Sequence, residues 1–347
     1  MKKYETVAQS IKEYISEGTY IEKLPSEREL MQKFDVSRVT IRKGLELLKK
    51  EYNLTSSKKG GTHIGSFKEN GDVKHIVFVM FFSAAESIRI IKGAEKVFSD
   101  SNMSLTIKFS NCSAKSERSI ISELLTRNLD GLIIYPANSS ENVDLFENIM
   151  TKNIPLVFVD KYPYEMVCSS VSIDNQEAAK SIVRHLADLG HRDIIFFAND
   201  LKNLSTRERL LGFKCEMAAR ELPFSEDSVH AFSTVDEMKS MFQEVLDSPN
   251  KPTGIVCSDD TVAVAFIEQA ERRGYRIPDS FSVVGVDDRN FPDYHSIPLT
   301  TARQPFYDLG RWSAHIMKQL INSTGIKAEK IYLPTELIIR ESTRKIE

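Results

Sequence analysis

The sequence predicts an α/β protein, a two-lobed body of parallel sheets behind a small helical head that ends in a hairpin. Three observations carry this. From about Ile76 onward, short apolar runs alternate with amphipathic stretches long enough for helices, the pattern of parallel sheets covered on both faces. About 270 residues of such alternation exceed what one hydrophobic core holds, so the body divides into two lobes. The first 64 residues show no such alternation and read instead as three helices followed by two short strands.

In the head, Val7, Ile11, Tyr14 and Ile15 recur on one helical face that ends near Gly18. Pro25 precedes Ser26-Glu27-Arg28-Glu29, a capping box with Ser26 as N-cap and Glu29 three positions on, opening a helix to about Phe34. Asp35-Val36 makes a tight turn, and Ser37 caps a third helix to about Lys50 with Ile41, Leu45 and Leu48 as its buried stripe. YNLTSSKKGGTHI (52–64) offers two strands around a Lys/Gly turn, the wing of a winged helix-turn-helix. Residues 65–75 are polar, contain two glycines and read as a linker. Strand runs then follow at 75–81, 105–109, 131–136, 155–160, 193–199, 229–232, 254–260 and 282–288. The expected division is a winged helix-turn-helix head over 1–64, a linker over 65–75 and a body over 76–347. Lobe 1 is expected at about 76–172 plus 302–330, and lobe 2 at about 173–301 plus 331–347.

Composition excludes several classes. No stretch approaches the roughly 18 consecutive apolar residues of a membrane span. The first 16 residues are broken by Glu5, Gln9, Lys12 and Glu13 and lack the apolar core of a signal peptide, so a cytoplasmic location is expected. The four cysteines lie far apart and form no CxxC, which points to reduced thiols and no metal site. Charge is uneven: residues 1–68 carry 14 basic and 9 acidic side chains, a net +5, whereas the remainder carries a net −8. A basic head on an acidic body fits a head that alone approaches a polyanion.

In a helix-turn-helix, the start of the third helix enters the major groove. Arg38 and Arg42 stack one turn apart there, beside the buried stripe, where guanidinium groups reach guanine edges or phosphates. Ser37 and Thr40 are placed to donate to phosphates. At the wing tip, Lys58 suits a groove's negative potential, and Gly60 and Gly61 permit close backbone approach. The segment LPSERELMQKFDVSRVTIRKGLELL followed by KKGGTHI resembles the DNA-binding domain of GntR-family bacterial regulators over about residues 4–64. The resemblance implies operator contacts from Arg28, Arg38, Arg42 and Lys58. The loop GTYIEKLPSE is shorter than that family's glycine-rich form.

In open α/β sheets ligands bind outside the carboxyl ends of the strands, and here those ends carry Asp160, Asp259, Asp260, Asp287 and Asp288. A carboxylate at such a cleft accepts hydrogen bonds from vicinal hydroxyls, the way a neutral sugar is held. Asp260 and Asp288 read instead as helix caps. Arg209 is placed to fork onto ring and hydroxyl oxygens, and Phe306 to cover the apolar face of a sugar ring. Three carboxylates against one arginine disfavour a phosphate. The strings VSIDNQEAAKSIVRHLADLGHRDIIFF, RERLLGF, GIVCSDDTVAVA, RGYRIPDSFSVVGVDD, PLTTARQPF and ELIIREST resemble the effector domain of LacI/GalR-family repressors, a periplasmic-binding-protein-like fold, over about 75–343. That resemblance implies effector contacts from Asp160, Arg209, Asp259, Asp287, Gln304 and Phe306, with Phe232 as a further one.

Together the two resemblances imply a repressor of carbohydrate-utilisation genes. They imply a homodimer on the pseudo-palindromic half-sites of double-stranded operator DNA, released by a small neutral sugar such as L-arabinose. Residues 65–75 hold no basic segment able to form a minor-groove hinge helix, so the signal is expected to run through the spacing or order of two heads. No cofactor is expected. No GxGxxG after a strand, GxxxxGK[ST], GxSxG or HExxH is present, which argues against an enzyme. His191, in LGHRD, reads as a structural residue. The alternatives are a body that serves only as a dimerisation platform, or an effector that is another sugar, an oligosaccharide or a sugar phosphate.

Overall fold

The computed structural model describes residues 3–16, 20, 23–51, 54–57, 61–63, 73–99, 101–127, 129–289, 297–322 and 327–346. The chain divides into two compact units, Met1–Val73 and Lys74–Glu347.

The first unit contains α1 (Lys3–Ser16), α2 (Glu27–Phe34), α3 (Arg38–Glu51), β1 (Thr55–Ser57) and β2 (Gly61–His63). The capping box forms as the spacing predicts: Ser26 Oγ accepts from Glu29 N, and the Glu29 carboxylate accepts from Ser26 N at 2.7 Å. Asp35 ends α2 in the left-handed region, which an aspartate tolerates, and so turns the chain into α3. Val7, Ile11, Leu24, Leu30, Ile41, Leu48 and Leu54 are buried together, and Leu45 packs at the edge of this core. Each such side chain contributes about 1.5–3 kcal/mol of burial. β1 and β2 pair antiparallel, Thr55 opposite His63.

The second unit has two sheets. Its strands are β3 (Lys74–Met80), β4 (Met103–Phe109), β5 (Gly131–Tyr135), β6 (Leu156–Val159), β7 (Ser169–Ile173), β8 (Ile194–Asn199), β9 (Val229–Phe232), β10 (Gly254–Cys257), β11 (Ser282–Asp287), β12 (Thr300–Arg303), β13 (Lys330–Leu333) and β14 (Glu336–Ile338). Its helices are α4 (Ala85–Phe98), α5 (Ala114–Leu124), α6 (Val143–Thr151), α7 (Asn175–Asp188), α8 (Leu204–Ala219), α9 (Val235–Asp247), α10 (Asp260–Arg272) and α11 (Phe306–Asn322). Lobe 1 is the sheet β13-β7-β6-β5-β3-β4, and lobe 2 the sheet β14-β12-β11-β10-β8-β9. All pairings within them are parallel except β12 with β14. The fold is therefore the two-lobed α/β arrangement that the alternation of strand and helix predicts.

The chain crosses between lobes three times, after Ile173, Arg303 and Leu333. The second and third crossings fall slightly later than the expected 301/302 and 330/331. The β12 ladder with β11 continues to Arg303 opposite Asp287, and the β13 ladder with β7 continues to Leu333 opposite Ile173. Likewise β3 begins at Lys74, inside the segment expected to be linker.

Lobe 1 is held by an unusually close helix pair. A β-carbon on Gly310 of α11 would run into Ile90 O of α4, and one on Gly93 of α4 would run into Tyr307 O of α11. Gly310→Ala gains about 1 kcal/mol of helix propensity but must push two backbones apart, at a cost of about 1–3 kcal/mol. The overpacking term wins because the obstacle is main chain. The expected result is a melting temperature lowered by a few degrees, readable by scanning calorimetry; an unchanged or raised transition contradicts the packing described.

Candidate functional site

In the first unit, Glu27 gathers the two arginines at the start of α3. Its carboxylate accepts from Arg38 Nε at 2.6 Å and from Arg42 Nε at 2.9 Å. These bonds, that from Arg42 above all, hold the Glu27 carboxyl below the usual carboxylate range. Both guanidinium groups stay about 60% exposed (63% and 62%). Each is bound through Nε, and among the described residues no hydrogen bond takes the Nη nitrogens. Ser37 Oγ and Thr40 Oγ1 lie 2.9 Å apart at the helix start, and Arg28 is exposed on α2. Gly61 opens β2, while Lys58 and Gly60 lie outside the described residues. Val39, not singled out by sequence reasoning, is 64% exposed between the arginines. An apolar side chain at that place suits a thymine methyl.

In the second unit, the strand-end aspartates converge in strained backbone. Asp160, just past β6, has φ 63°; Asp287, ending β11, has φ 128°; Asp288 has φ 57°. Such conformations cost of order 1–3 kcal/mol each and cluster where the surroundings hold a side chain in a required direction.

Asp287 is the hub. Its Oδ1 accepts from Gln304 Nε2 at 2.6 Å and lies 3.8 Å from Arg209 Nη2; its Oδ2 accepts from Arg289 Nε at 2.9 Å. Burial pushes the Asp287 carboxyl up, and Arg289 and Arg209 oppose that shift. Arg209 is itself fixed by Asn175 Oδ1 at 2.8 Å and Ser258 O at 2.6 Å. Within lobe 1, Tyr135 at the end of β5 donates to Asp160 Oδ2, just past the neighbouring β6, at 2.7 Å. Lys161 stands over the rings of Phe81 and Tyr135 at 4.5 and 6.0 Å, and among the described residues its ammonium has no hydrogen-bond partner. Burial lowers its pKa, Asp160 raises it and Arg289 lowers it further.

Asp259 caps α10, its Oδ1 accepting from Val262 N at 3.1 Å, while its Oδ2 lies 3.5 Å from Asn199 Nδ2 on the cluster side. Asp260 is not a cap. It is buried inside α10, accepting from Thr301 Oγ1 at 2.6 Å and Arg289 N at 2.9 Å, and burial pushes its carboxyl up to about 7. Asp288 caps no helix among the described residues either and pairs with Arg303 and Arg340, which hold its carboxyl low against burial. Phe306 starts α11 with its ring in the lobe-1 core and the Arg89 guanidinium 5.4 Å above it. Phe232 lies in the lobe-2 core, 6.3 Å from Phe242. His191 is buried between Thr253 and Arg344 O, a structural role.

Sequence reasoning missed four contributors: Tyr135, Lys161, Asn175 and Arg289. The charge account changes with them. Three carboxylates (Asp160, Asp259, Asp287) face three cations (Lys161, Arg209, Arg289), not one. The cluster is close to neutral, so the case for an uncharged ligand rests on hydrogen bonding. Five buried side-chain polar atoms among the described residues lack a partner, and two of them are Asp160 Oδ1 and Gln304 Oε1. Leaving each unsatisfied costs about 1–3 kcal/mol, which a ligand hydroxyl recovers by donating to it.

A winged helix-turn-helix unit followed by a two-lobed ligand-binding unit defines a DNA-binding transcriptional regulator that carries its own effector domain. Residues 3–64 match the bacterial regulatory proteins of the gntR family, and residues 183–343 match the periplasmic binding protein-like domain. The chain is 30% identical to the arabinose metabolism transcriptional repressor of Geobacillus stearothermophilus over 100% of this chain and 99% of that protein. It is 29% identical to the protein of the same name from Halalkalibacterium halodurans, over 98% and 96% of the two chains. The chain belongs to the GntR family of bacterial regulators and shares its full-length architecture with these repressors. Among solved structures, the transcriptional regulator CelR–cellobiose complex has a TM-score of 0.70 at 21% identity, covering 88% of this chain and 91% of that one. The transcription regulator CcpA of Lactococcus lactis also has a TM-score of 0.70, at 22% identity over 78% and 100%. These two establish the likeness of fold. The relatives are regulators of transcription. Among the described residues no helix is long and apolar enough to cross a membrane, and no group of side chains could hold a metal ion.

Proposed function

We propose that the chain is a cytoplasmic repressor of carbohydrate-utilisation genes that binds pseudo-palindromic operator DNA as a homodimer and is released by a neutral sugar such as L-arabinose. The observation that carries the sugar reading is the pair of buried acceptors without partners, Asp160 Oδ1 and Gln304 Oε1, in a charge-balanced cluster at the strand ends of both lobes. Vicinal hydroxyls supply the missing donors, and an uncharged ring leaves the balance of carboxylates and cations intact. Asp160, Arg209, Asp259, Asp287 and Gln304 are the proposed contacts, with Lys161 and Arg289 joining them. Phe232 and Phe306 support them from the two cores. In the head, Arg28, Ser37, Arg38, Thr40 and Arg42 are the proposed DNA contacts, with Lys58, Gly60 and Gly61 at the wing. The relatives' names, arabinose metabolism transcriptional repressors, support the choice of L-arabinose as first probe.

The test is a thermal-shift screen of the full-length protein with free sugars and sugar phosphates, followed by operator binding with and without the hit. A ligand at about 100 times its dissociation constant adds about 2.7 kcal/mol, a shift of several degrees. The expected result is a shift with one neutral sugar and loss of operator binding on its addition. A shift with phosphorylated sugars alone contradicts the neutral-ligand reading, and no shift with any sugar contradicts sugar sensing.

A further inference from the structure

Past the strand ends that carry the carboxylate cluster lies a cavity of about 640 Å³ whose lining includes none of the cluster's residues. Its lobe-1 wall, including Ser140, Tyr164 and Glu165, hangs from the carboxyl ends of β5 and β6. Its lobe-2 wall, including Asp200, Lys202 and Arg207, follows β8 and begins α8. The two sites adjoin along the same strand ends. Tyr164 is four residues past Asp160, and Asp200 directly follows Asn199, whose amide reaches Asp259. The lobes touch at this edge, where Ser140 Oγ donates to Lys202 O at 3.2 Å and Leu204 packs into the lobe-1 core.

Tyr164 is the informative residue. It is 69% exposed, and the Arg207 guanidinium sits 5.7 Å from its ring centroid. A large ring left in solvent inside a cavity offers a flat apolar face, which the C–H face of a sugar covers. Glu165 and Asp200 balance Lys202 and Arg207, so this cavity too is charge-neutral and rich in donors and acceptors. Its volume falls within the usual range for small-molecule sites, about 300–1,000 Å³.

We propose that this cavity is an outer subsite for a second sugar ring stacked on Tyr164, so that the preferred effector is a short neutral oligosaccharide whose first ring occupies the carboxylate cluster. The inference rests on the sugar reading of that cluster. The test is titration calorimetry of the full-length protein with L-arabinose, D-xylose, D-galactose and D-glucose, and with a disaccharide of each. One disaccharide is expected to bind about tenfold tighter than its own monosaccharide, the worth of one aromatic contact. Tyr164→Ala removes that advantage and leaves the monosaccharide affinity unchanged, and Tyr164→Phe keeps both. Equal affinity for the two sugars in the wild type overturns the outer subsite alone, as does a Tyr164→Ala variant that weakens both equally. Absence of binding by every sugar overturns the inner reading, and the outer one with it.

Discussion

Arg42→Ala and Arg38→Ala will each lower affinity for specific operator DNA about 10- to 100-fold while leaving sugar binding intact. A bidentate guanidinium contact to a base edge is worth about 1–3 kcal/mol of discrimination. The geometry adds a second penalty, because each arginine also neutralises Glu27. Removing either leaves that carboxylate half-compensated on the face proposed to meet phosphates. Arg42→Lys keeps the charge but loses the fork held through Nε, so it should retain non-specific binding and lose sequence preference. Fluorescence anisotropy at fixed salt, on DNA selected from a random pool by the wild-type protein, separates the two. Retained specific affinity in both alanine variants removes α3 as the reading helix.

Asp287→Ala will give a protein that holds its operator in the presence of sugar. Two donors, from Gln304 and Arg289, bond this carboxylate and the Arg209 guanidinium stands 3.8 Å from it, so its loss disorders the hub as well as removing an acceptor. Truncating one member of such a buried charged network costs about 2–5 kcal/mol, and sugar affinity is expected to fall about 100-fold or more. Asp287→Asn keeps the shape and the Gln304 side of the network and serves as the control for folding. Arg209→Ala is expected to act in the same direction through Asn175 and the backbone of Ser258. Operator release assayed against sugar concentration reads all three; normal release in the Asp287 variants places the effector elsewhere.

Much of the architecture is legible where apolar runs are clean. The eight expected strand runs all become strands because they are aliphatic and aromatic, and the capping box of Ser26 and Glu29 marks α2 to the residue. Four strands of the body are missed. β7 (SSVSI) is buried, but its ladder is filled by serines, and β12 (TTAR), β13 (KIYL) and β14 (ELI) are runs of only three or four residues, too short to stand out, added from late in the chain. The site divides the same way. Asp160 and Asp287 stand at ends of readable strands. Tyr135 reads as the last residue of a core strand, and only the pairing of β5 with β6, which a single chain does not announce, brings its hydroxyl to Asp160. Arg289 lies one residue beyond the last strand-end carboxylate, and nothing in its neighbours predicts that it folds back onto Asp287 and lies 5.7 Å from the Phe82 ring. Phe306 begins a helix, where an exposed ring was expected. Its burial follows from α11 packing closely on α4, a contact set by two glycines far apart in sequence.

The three crossings between sheets bear on how the molecule is made. The sheet built on β3 lacks β13 and its covering helix α11 until the chain has been extended by more than 200 residues. From the end of β6 at Val159 to the end of α11 at Asn322, at a synthesis rate of roughly 5–20 residues per second, the first four strands wait about 8–30 s without α11. Neither lobe is a continuous stretch of sequence, so a chain interrupted near residue 300 yields two incomplete sheets rather than one finished half. Unfinished sheet edges therefore stay open through much of the synthesis of the body, and production of the effector unit as separate halves is expected to fail.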